Sequence, residues 1–435
     1  MSSIITEKYN ALWSDPKLVK RIDEGIRINR QSDARVRVTN FEGKPLPGIG
    51  IKVEQQDSPF NFGANIFKLG DFPEDTLNLK YEDAFCNIFN RATVPFYWRG
   101  LEPEQGRPRF SQHSVPIARR PPPDRVVQFC QDKGLRMHGH TLVWNYRKWS
   151  TPDWLPTDPE QAAPLWEKRI QEIAERYGDA IASWDVVNEI ACHYEKNPDG
   201  MAMLPNYGST AFAWSEKYFP TETRFDINEA TGAWDIEDPE YTQLIEGILK
   251  EKRRMGAIGL QFHKFKDKDL LKVLAGDNSR PMDLLDALDH YTKFNLPLHV
   301  SEITLTSPEN NEAGLAAQAE VAKNLYRLWF SHAAVEGITW WNLPDGCGAP
   351  GEHKVYSGLL FEDLSPKPAY HVLQDLIHNE WRTTEEGVTD ADGYFNFRGF
   401  HGSYRIITSS QWSDSGMQSA MTLEPGKRTD QLIFL

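Results

Sequence analysis

The sequence predicts a (β/α)8 barrel of the α/β class, with a small accessory β-sandwich formed by its N- and C-terminal segments. Three observations point there. Between residues 60 and 382, strand-like runs alternate with helix-like stretches, as βα units do in a parallel sheet. Acidic, polar or aromatic clusters close one run after another at the C-terminal end, where such barrels carry their active sites. Both ends of the chain instead show short alternating patterns broken by turn residues, the mark of β-structure.

In chain order, residues 1–30 are polar and charged and predict one or two helices. In residues 34–56, Ala34-Arg35-Val36-Arg37-Val38-Thr39 alternates, Asn40 to Gly48 supplies turn residues, and Ile49 to Glu54 alternates again. That pattern predicts a β-hairpin. The barrel strands are predicted at Phe60–Phe67, Ala92–Trp98, Arg136–Trp144, Ile181–Glu189, Arg224–Glu229, Ile258–His263, Leu296–Ile303 and Gly337–Leu343. An open doubly wound sheet would want a glycine-rich phosphate turn after its first strand, whereas this chain has Gly63-Ala64-Asn65 there. From about 384 the alternation returns, at Tyr394–Phe397, Gly402–Thr408 and Gln431–Leu435. A tail of ~50 residues is marginal as a domain by itself, and so is a lone hairpin. The two ends are therefore expected to pack together. The expected organisation is a helical arm and hairpin over 1–57, a catalytic barrel over 58–382, and the closing strands of the accessory module over 383–435.

Composition narrows the function. The 435 residues carry a formal charge of −14, and a negative field repels phosphate backbones, so nucleic acid is not the expected partner. No apolar stretch approaches the ~18 residues that a membrane span needs. The N-terminus lacks a basic segment followed by an apolar run, which leaves a cytoplasmic protein or an exported one whose leader has been removed. Cys86, Cys130, Cys192 and Cys347 form no CxxC pair, so neither a zinc site nor a disulfide framework is expected. Fourteen tryptophans serve a core, or line a groove where flat rings stack on sugar faces.

Two predicted strands end in a carboxylate: Trp184-Asp185-Val186-Val187-Asn188-Glu189 and His299-Val300-Ser301-Glu302. One glutamate at a strand end is ordinarily a solvated residue. Two, on strands four and seven across a barrel mouth, can flank a glycosidic bond. Cleavage with retention needs one carboxyl to protonate the leaving oxygen and one carboxylate to attack the anomeric carbon. Asn188 precedes the candidate acid/base and could donate to the sugar 2-hydroxyl. His263 ends the sixth strand and could hydrogen-bond the nucleophile.

These segments resemble, in order and spacing, the motifs of glycoside hydrolase family 10: Gly139-His140-Thr141-Leu142-Val143-Trp144, Trp184 to Glu189, Gly259-Leu260-Gln261-Phe262-His263, and Ser301-Glu302. Weaker echoes are Glu102 to Gly106, Phe225-Asp226-Ile227-Asn228-Glu229 and Leu364 to Tyr370. The resemblance covers about 60–380 and implies a retaining β-glycosidase, by default an endo-β-1,4-xylanase. It implies Glu189 as acid/base and Glu302 as nucleophile. It places His140, Trp144, Asn188, Gln261 and His263 around the reactive sugar and Trp341 beneath it. No metal or organic cofactor is implied, and the partner is an oligo- or polysaccharide.

The departures fall on the sugar grip. Where the family carries a Glu-Asn pair and a Lys after the second strand, this chain has Thr93, Val94 and Tyr97. Asn145 follows Trp144 in place of the common His, Ala349 stands near an expected second Trp, and Ile303-Thr304 follows the proposed nucleophile. Tyr97, Trp98, Arg99, Tyr146, Arg147 and Trp149 are the new groups nearby, suited to stacking on or donating to a different glycone, including one that bears a carboxylate, although the two arginines read equally well as solvated surface groups. Two alternatives therefore stand beside a xylanase: the same machinery acting on another β-glycoside, decorated or acidic, and a carbohydrate-binding barrel without turnover. Arg119-Arg120-Pro121-Pro122-Pro123 reads as a rigid turn. Tyr394, Phe400 and Trp412 are the candidate sugar contacts of the accessory module, whose expected role is structural.

Overall fold

The computed structural model describes residues 4–192, 196, 199–410 and 413–435. The chain divides into two compact units. One comprises Met1–Leu12, Asn61–Ala322 and Ala334–Tyr370; the other comprises Trp13–Phe60, Lys323–Ala333 and His371–Leu435.

The first unit contains a closed barrel of eight parallel strands: β3 (Asn61–Asn65), β4 (Arg91–Pro95), β5 (Arg136–Val143), β6 (Ser183–Asn188), β7 (Arg224–Glu229), β8 (Ala257–Lys264), β9 (Leu298–Leu305) and β10 (Val335–Trp340). Strand β10 pairs with β3 and closes the ring. Helices stand between the strands, and their ends follow from local sequence. The helix Pro123–Lys133 starts on proline and stops at Gly134, whose φ of 66° suits a residue without Cβ. The helix Pro159–Tyr177 opens on Asp158, whose carboxylate accepts from the Glu160 N–H, and it buries Ala162, Trp166, Ile170, Ile173 and Tyr177 along one stripe.

The barrel strands are buried on both faces, β9 along its whole length, which explains why LHVSEITL reads as a continuous run. A bulge in β9 shapes what the barrel presents. Against β8, Gly259 is level with His299 but Gln261 is level with Glu302, so β9 holds one extra residue there. The same stretch slips against β10 between Ile338 and Trp340. A bulge sends two successive side chains to one face. Ser301 and Glu302 consequently both reach Asn228.

The second unit holds two sheets. β1 (Gln31–Thr39) lies between β12 (Tyr394–Phe400) and β15 (Thr429–Phe434); β2 (Gly50–Gln55) lies between β11 (Thr384–Val388) and β13 (Gly402–Ser410), with β14 (Ser413–Leu423) outermost. The expected hairpin at 34–56 is corrected here. Both strands exist, but they pair in different sheets. Val36 and Val38 of β1 and Ile51 and Val53 of β2 bury into one core with Tyr404, Ile406 and Leu423, so the two runs meet face to face rather than edge to edge. Gln55 ties this unit internally: its amide donates to the Asp57 and His401 carbonyls at 3.1 and 3.0 Å, and its Oε1 accepts from the Thr383 N–H at 3.0 Å. The predicted N-terminal helices form at Glu7–Trp13 and Pro16–Asn29, the second capped by Asp15.

Of the module's candidate sugar contacts, Phe400 is buried. Tyr394 has Arg35 and Arg37 over its ring at 4.4 and 5.1 Å. Trp412 lies outside the described residues.

Candidate active site

A cavity of about 470 Å³ opens at the C-terminal ends of the barrel strands, lined by Tyr97, His140, Trp144, Asn188, Glu189, Gln261, His263, Glu302 and Trp341. Strand register brings these residues together. Asn188 is level with Asn228 on β7, Gln261 with Glu302, and His263 with Thr304.

Glu302 is 4% exposed at the centre. Its Oε1 accepts from the Asn228 amide at 2.8 Å, its Oε2 lies 3.2 Å from His263 Nε2, and His140 Nε2 stands 3.9 Å away. Burial pushes the Glu302 carboxyl well above the usual carboxylate range. His140 opposes this, the charges of Glu189 and Asp185 add to it, and the Asn228 hydrogen bond opposes it.

The two histidines differ in electrostatic character. Burial takes His263 down to about 4, so at neutral pH it is a neutral ring. Its Nδ1 meets Thr304 Oγ1 at 2.8 Å; with that hydroxyl donating, Nε2–H is left to face Glu302. His140 is also buried, which lowers it, but the Asp185 hydrogen bond and the charges of Glu302, Asp185 and Glu189 outweigh burial and hold it above the ordinary histidine value. Its Nδ1 meets Asp185 at 2.8 Å. His140 is thus the neighbour of Glu302 drawn toward its protonated form, and His263 the one held toward its neutral form.

Glu189 sits one residue beyond β6 with φ 53°. A glutamate in that region carries local strain, and its N–H is held by the Asn228 carbonyl at 2.8 Å. Its Oε1 accepts from the Gln261 amide at 3.1 Å. Gln261 Nε2 also lies 3.4 Å from Asn188 Oδ1, which takes a 2.8 Å bond from Asn228. One amide network therefore links both glutamates and Asn188. Such an array, with one half-buried and one buried carboxyl on a common cavity, can perform acid–base and nucleophilic chemistry at a sugar carbon.

Aromatic walls surround the pair. Phe67, Tyr97, Trp144 and Trp341 cluster with Tyr146 and Trp149 against them, and the Tyr97 hydroxyl lies 3.1 Å from His140 Nε2. Trp98 does not join this wall. It is 1% exposed, bonds Glu102 at 2.7 Å, and packs on Trp154 and Trp166. It starts a one-turn helix, Trp98–Leu101, and that turn swings its side chain away from the pocket. Arg99 forms a bidentate pair with Asp153 at 2.6 and 2.7 Å, and Arg147 bonds the Leu155 carbonyl at 3.3 Å. Neither lines the cavity.

Sequence reasoning gave no site role to four residues found there. Asn228 bonds both Glu302 and Asn188; its signal was an amide in the penultimate position of a buried strand. Arg119, Arg120 and Glu352 line the cavity from loops, where no periodicity announces an inward side chain. His138, Asp185 and Asp226 are the group among the described residues whose ligand atoms lie close enough, within 4.8 Å, to hold a metal. Asp185 already meets His138 and His140, and Asp226 pairs bidentately with Arg224.

The model of glycosyl hydrolase family 10 matches residues 98–376. Anti-sigma-I factor RsgI6 of Acetivibrio thermocellus is 24% identical over 395 residues, covering 90% of this chain and 46% of that protein. Endo-1,4-beta-xylanase 2 of Arabidopsis thaliana is 26% identical over 400 residues, covering 88% and 33%. The chain thus spans less than half the length of these two relatives. Endo-1,4-beta-xylanase B of Thermotoga neapolitana is 24% identical over 363 residues, covering 79% and 95%. Among solved structures, xylanase 10B from Thermotoga petrophila RKU-1 in complex with xylobiose superposes with a TM-score of 0.60 at 19% identity, covering 75% of this chain and 98% of that one.

Proposed function

The chain belongs to glycosyl hydrolase family 10, and from that premise we propose that it hydrolyses β-linked glycans with retention of anomeric configuration. Glu302 attacks the anomeric carbon as Glu189 protonates the departing oxygen. The glycosyl–Glu302 ester is then hydrolysed by water that Glu189 deprotonates. The observation that carries this reading is the shared amide network: Asn228 donates to Glu302 and Gln261 donates to Glu189, with Asn188 between them. His140, drawn toward its protonated form beside Glu302, favours the ionised nucleophile before attack. Asn188 is the candidate donor to the 2-hydroxyl, and Trp144 and Trp341 are the candidate sugar platforms.

Relatives named endo-1,4-beta-xylanases make a β-1,4-xylan backbone the default substrate. Of the altered positions Thr93, Val94 and Tyr97, Tyr97 lines the cavity and supports a second substrate reading, another β-glycoside on the same machinery. A site built for particular hydroxyls loses discrimination by powers of ten when those partners change.

The mechanism is tested by stereochemistry. With an aryl β-glycoside and azide, Glu189→Ala is expected to yield the β-glycosyl azide, because azide replaces water on the covalent intermediate. Glu302→Ala is expected to yield the α-azide by direct displacement. Exchanged products would reverse the two roles, and unchanged turnover in Glu302→Ala would end the retaining assignment. A barrel that only binds glycans would show no turnover in the unmodified protein.

A further inference from the structure

The cavity contains a cation that the proposed chemistry leaves unused. Arg120 lies over the Tyr97 ring, its guanidinium carbon 4.0 Å from the ring centroid. Tyr97 in turn reaches His140, whose Nε2 lies 3.9 Å from Glu302. The chain of contacts Arg120–Tyr97–His140–Glu302 sets this guanidinium two side chains from the reacting centre. It stands against Tyr97, one of the three positions at which the sequence departs from the glycone grip the resemblance implies.

Arg120 and its neighbour Arg119 are committed differently. Arg119 bonds Asn342 Oδ1 at 3.0 Å and the Cys347 carbonyl, so it ties two loops together. Arg120 gives one bond, from Nη1 to the Arg119 carbonyl at 2.8 Å. Among the described residues, its Nε and Nη2 meet no acceptor, and no carboxylate lies within ion-pairing distance. The third acid of the cavity, Glu352, is held by the Asn342 amide at 3.1 Å and the Ala349 N–H at 3.3 Å. This guanidinium lines the cavity over Tyr97 with donors that no protein group takes, and so is open to an anionic ligand. Its planar fork matches the two oxygens of a carboxylate better than a lone hydroxyl.

We propose that Arg120 makes this cavity selective for a glycan carrying a carboxylate, with a uronic acid residue bound on the Tyr97 side of the bond that is cleaved. This rests on the hydrolase reading and sharpens its substrate. Tyr97 carries the guanidinium on its ring, and Arg119 holds the loop that delivers it.

Paired substrates test it. Aryl β-D-glucuronide is compared with aryl β-D-glucoside, and glucuronoxylan oligosaccharides are compared with the same oligosaccharides after reduction of their carboxyl groups. In at least one pair the acid form is expected to show a kcat/KM about 10- to 100-fold higher, the range of one charge-assisted contact. Arg120→Gln should abolish that preference while leaving the neutral partner within about threefold of wild type. Arg120→Lys, which keeps charge without the fork, should restore part of it. Equal rates on acid and neutral forms in both pairs, or a preference that survives Arg120→Gln, would overturn the proposal. A sulfated oligosaccharide favoured over the uronate would overturn the carboxylate assignment. If no substrate is cleaved, the hydrolase reading fails separately, and calorimetric binding of the same pairs, with and without Arg120→Gln, still decides the subsite. Melting temperature checks that each variant is folded.

Discussion

Asn228 is the residue whose removal most directly interrogates the amide network. It is fully buried. Both hydrogens of its Nδ2 are used, at 2.8 Å on Glu302 and 2.8 Å on Asn188, and its Oδ1 accepts from Ser301 Oγ at 2.5 Å. In Asn228→Ala two consequences separate. Loss of the donor removes a contact that favours the charged form of Glu302, so the carboxyl becomes harder to ionise and the acid limb of the kcat/KM profile moves to higher pH. Loss of the tie to Asn188 frees the amide proposed to grip the 2-hydroxyl, with only the longer 3.4 Å contact from Gln261 left to orient it. A hydrogen bond to a charged partner contributes about 1.5–3 kcal/mol and a neutral one about 1 kcal/mol. A loss of ~1–3 kcal/mol on the pH plateau corresponds to roughly a 5- to 150-fold lower kcat/KM. Asn228→Asp should be worse, because it sets a second buried acid against Glu302. Initial rates on an aryl β-xylobioside across the pH range, with melting curves to exclude unfolding, measure both effects. A folded Asn228→Ala that keeps kcat/KM within about threefold, with its acid limb unmoved, would refute this account of the network.

Three further outcomes are expected. Glu302 is raised in the folded state by burial, so the fold binds a proton there more tightly than the unfolded chain does. Its contribution to stability is full below the unfolded glutamate value of about 4.3 and is lost as pH climbs through the raised value. Glu302→Gln should therefore melt higher than wild type at pH 7, by about 1–3 kcal/mol of stability, with the gain shrinking toward pH 4; a gain independent of pH would contradict burial as the cause. Trp98→Ala should cost ~3–5 kcal/mol through lost packing on Trp154 and Trp166 while leaving KM nearly unchanged below the melting range, whereas a selective KM effect would return Trp98 to the sugar site. Gln55→Ala removes three hydrogen bonds inside the second unit and orphans the Thr383 N–H, so stability should fall by about 2–4 kcal/mol; denaturant unfolding reports it, and substrate preference serves as the control.

The barrel was legible because each strand carries its own signal. Runs such as Leu298–Leu305 are apolar enough to be buried on both faces, and their polar residues gather near the C-terminal ends, so both fold and glutamate pair could be read from one dimension. The boundaries drifted by a few residues, as at Phe60–Phe67 against the observed Asn61–Asn65, because strand ends are set by pairing partners that local sequence does not contain. The N-terminal hairpin failed for a related reason: alternation reveals which face of a strand is buried, but two strands with complementary apolar faces can pair in one sheet or oppose each other across two.

By itself, the sequence determined the βα succession and the two strand-end carboxylates. Tertiary structure alone decided which side chains converge. A single extra residue in β9 turns Ser301 and Glu302 onto Asn228 together. One turn of helix after β4 carries Trp98 away from the pocket and leaves Tyr97 in it. The proline-flanked loop aims Arg120 at Tyr97, while Arg99, only two residues from that tyrosine, pairs with Asp153 outside. The physical reason is common to all three: spacing along a regular element fixes the direction of a side chain, whereas bulges, short turns and loops take their direction from long-range contacts.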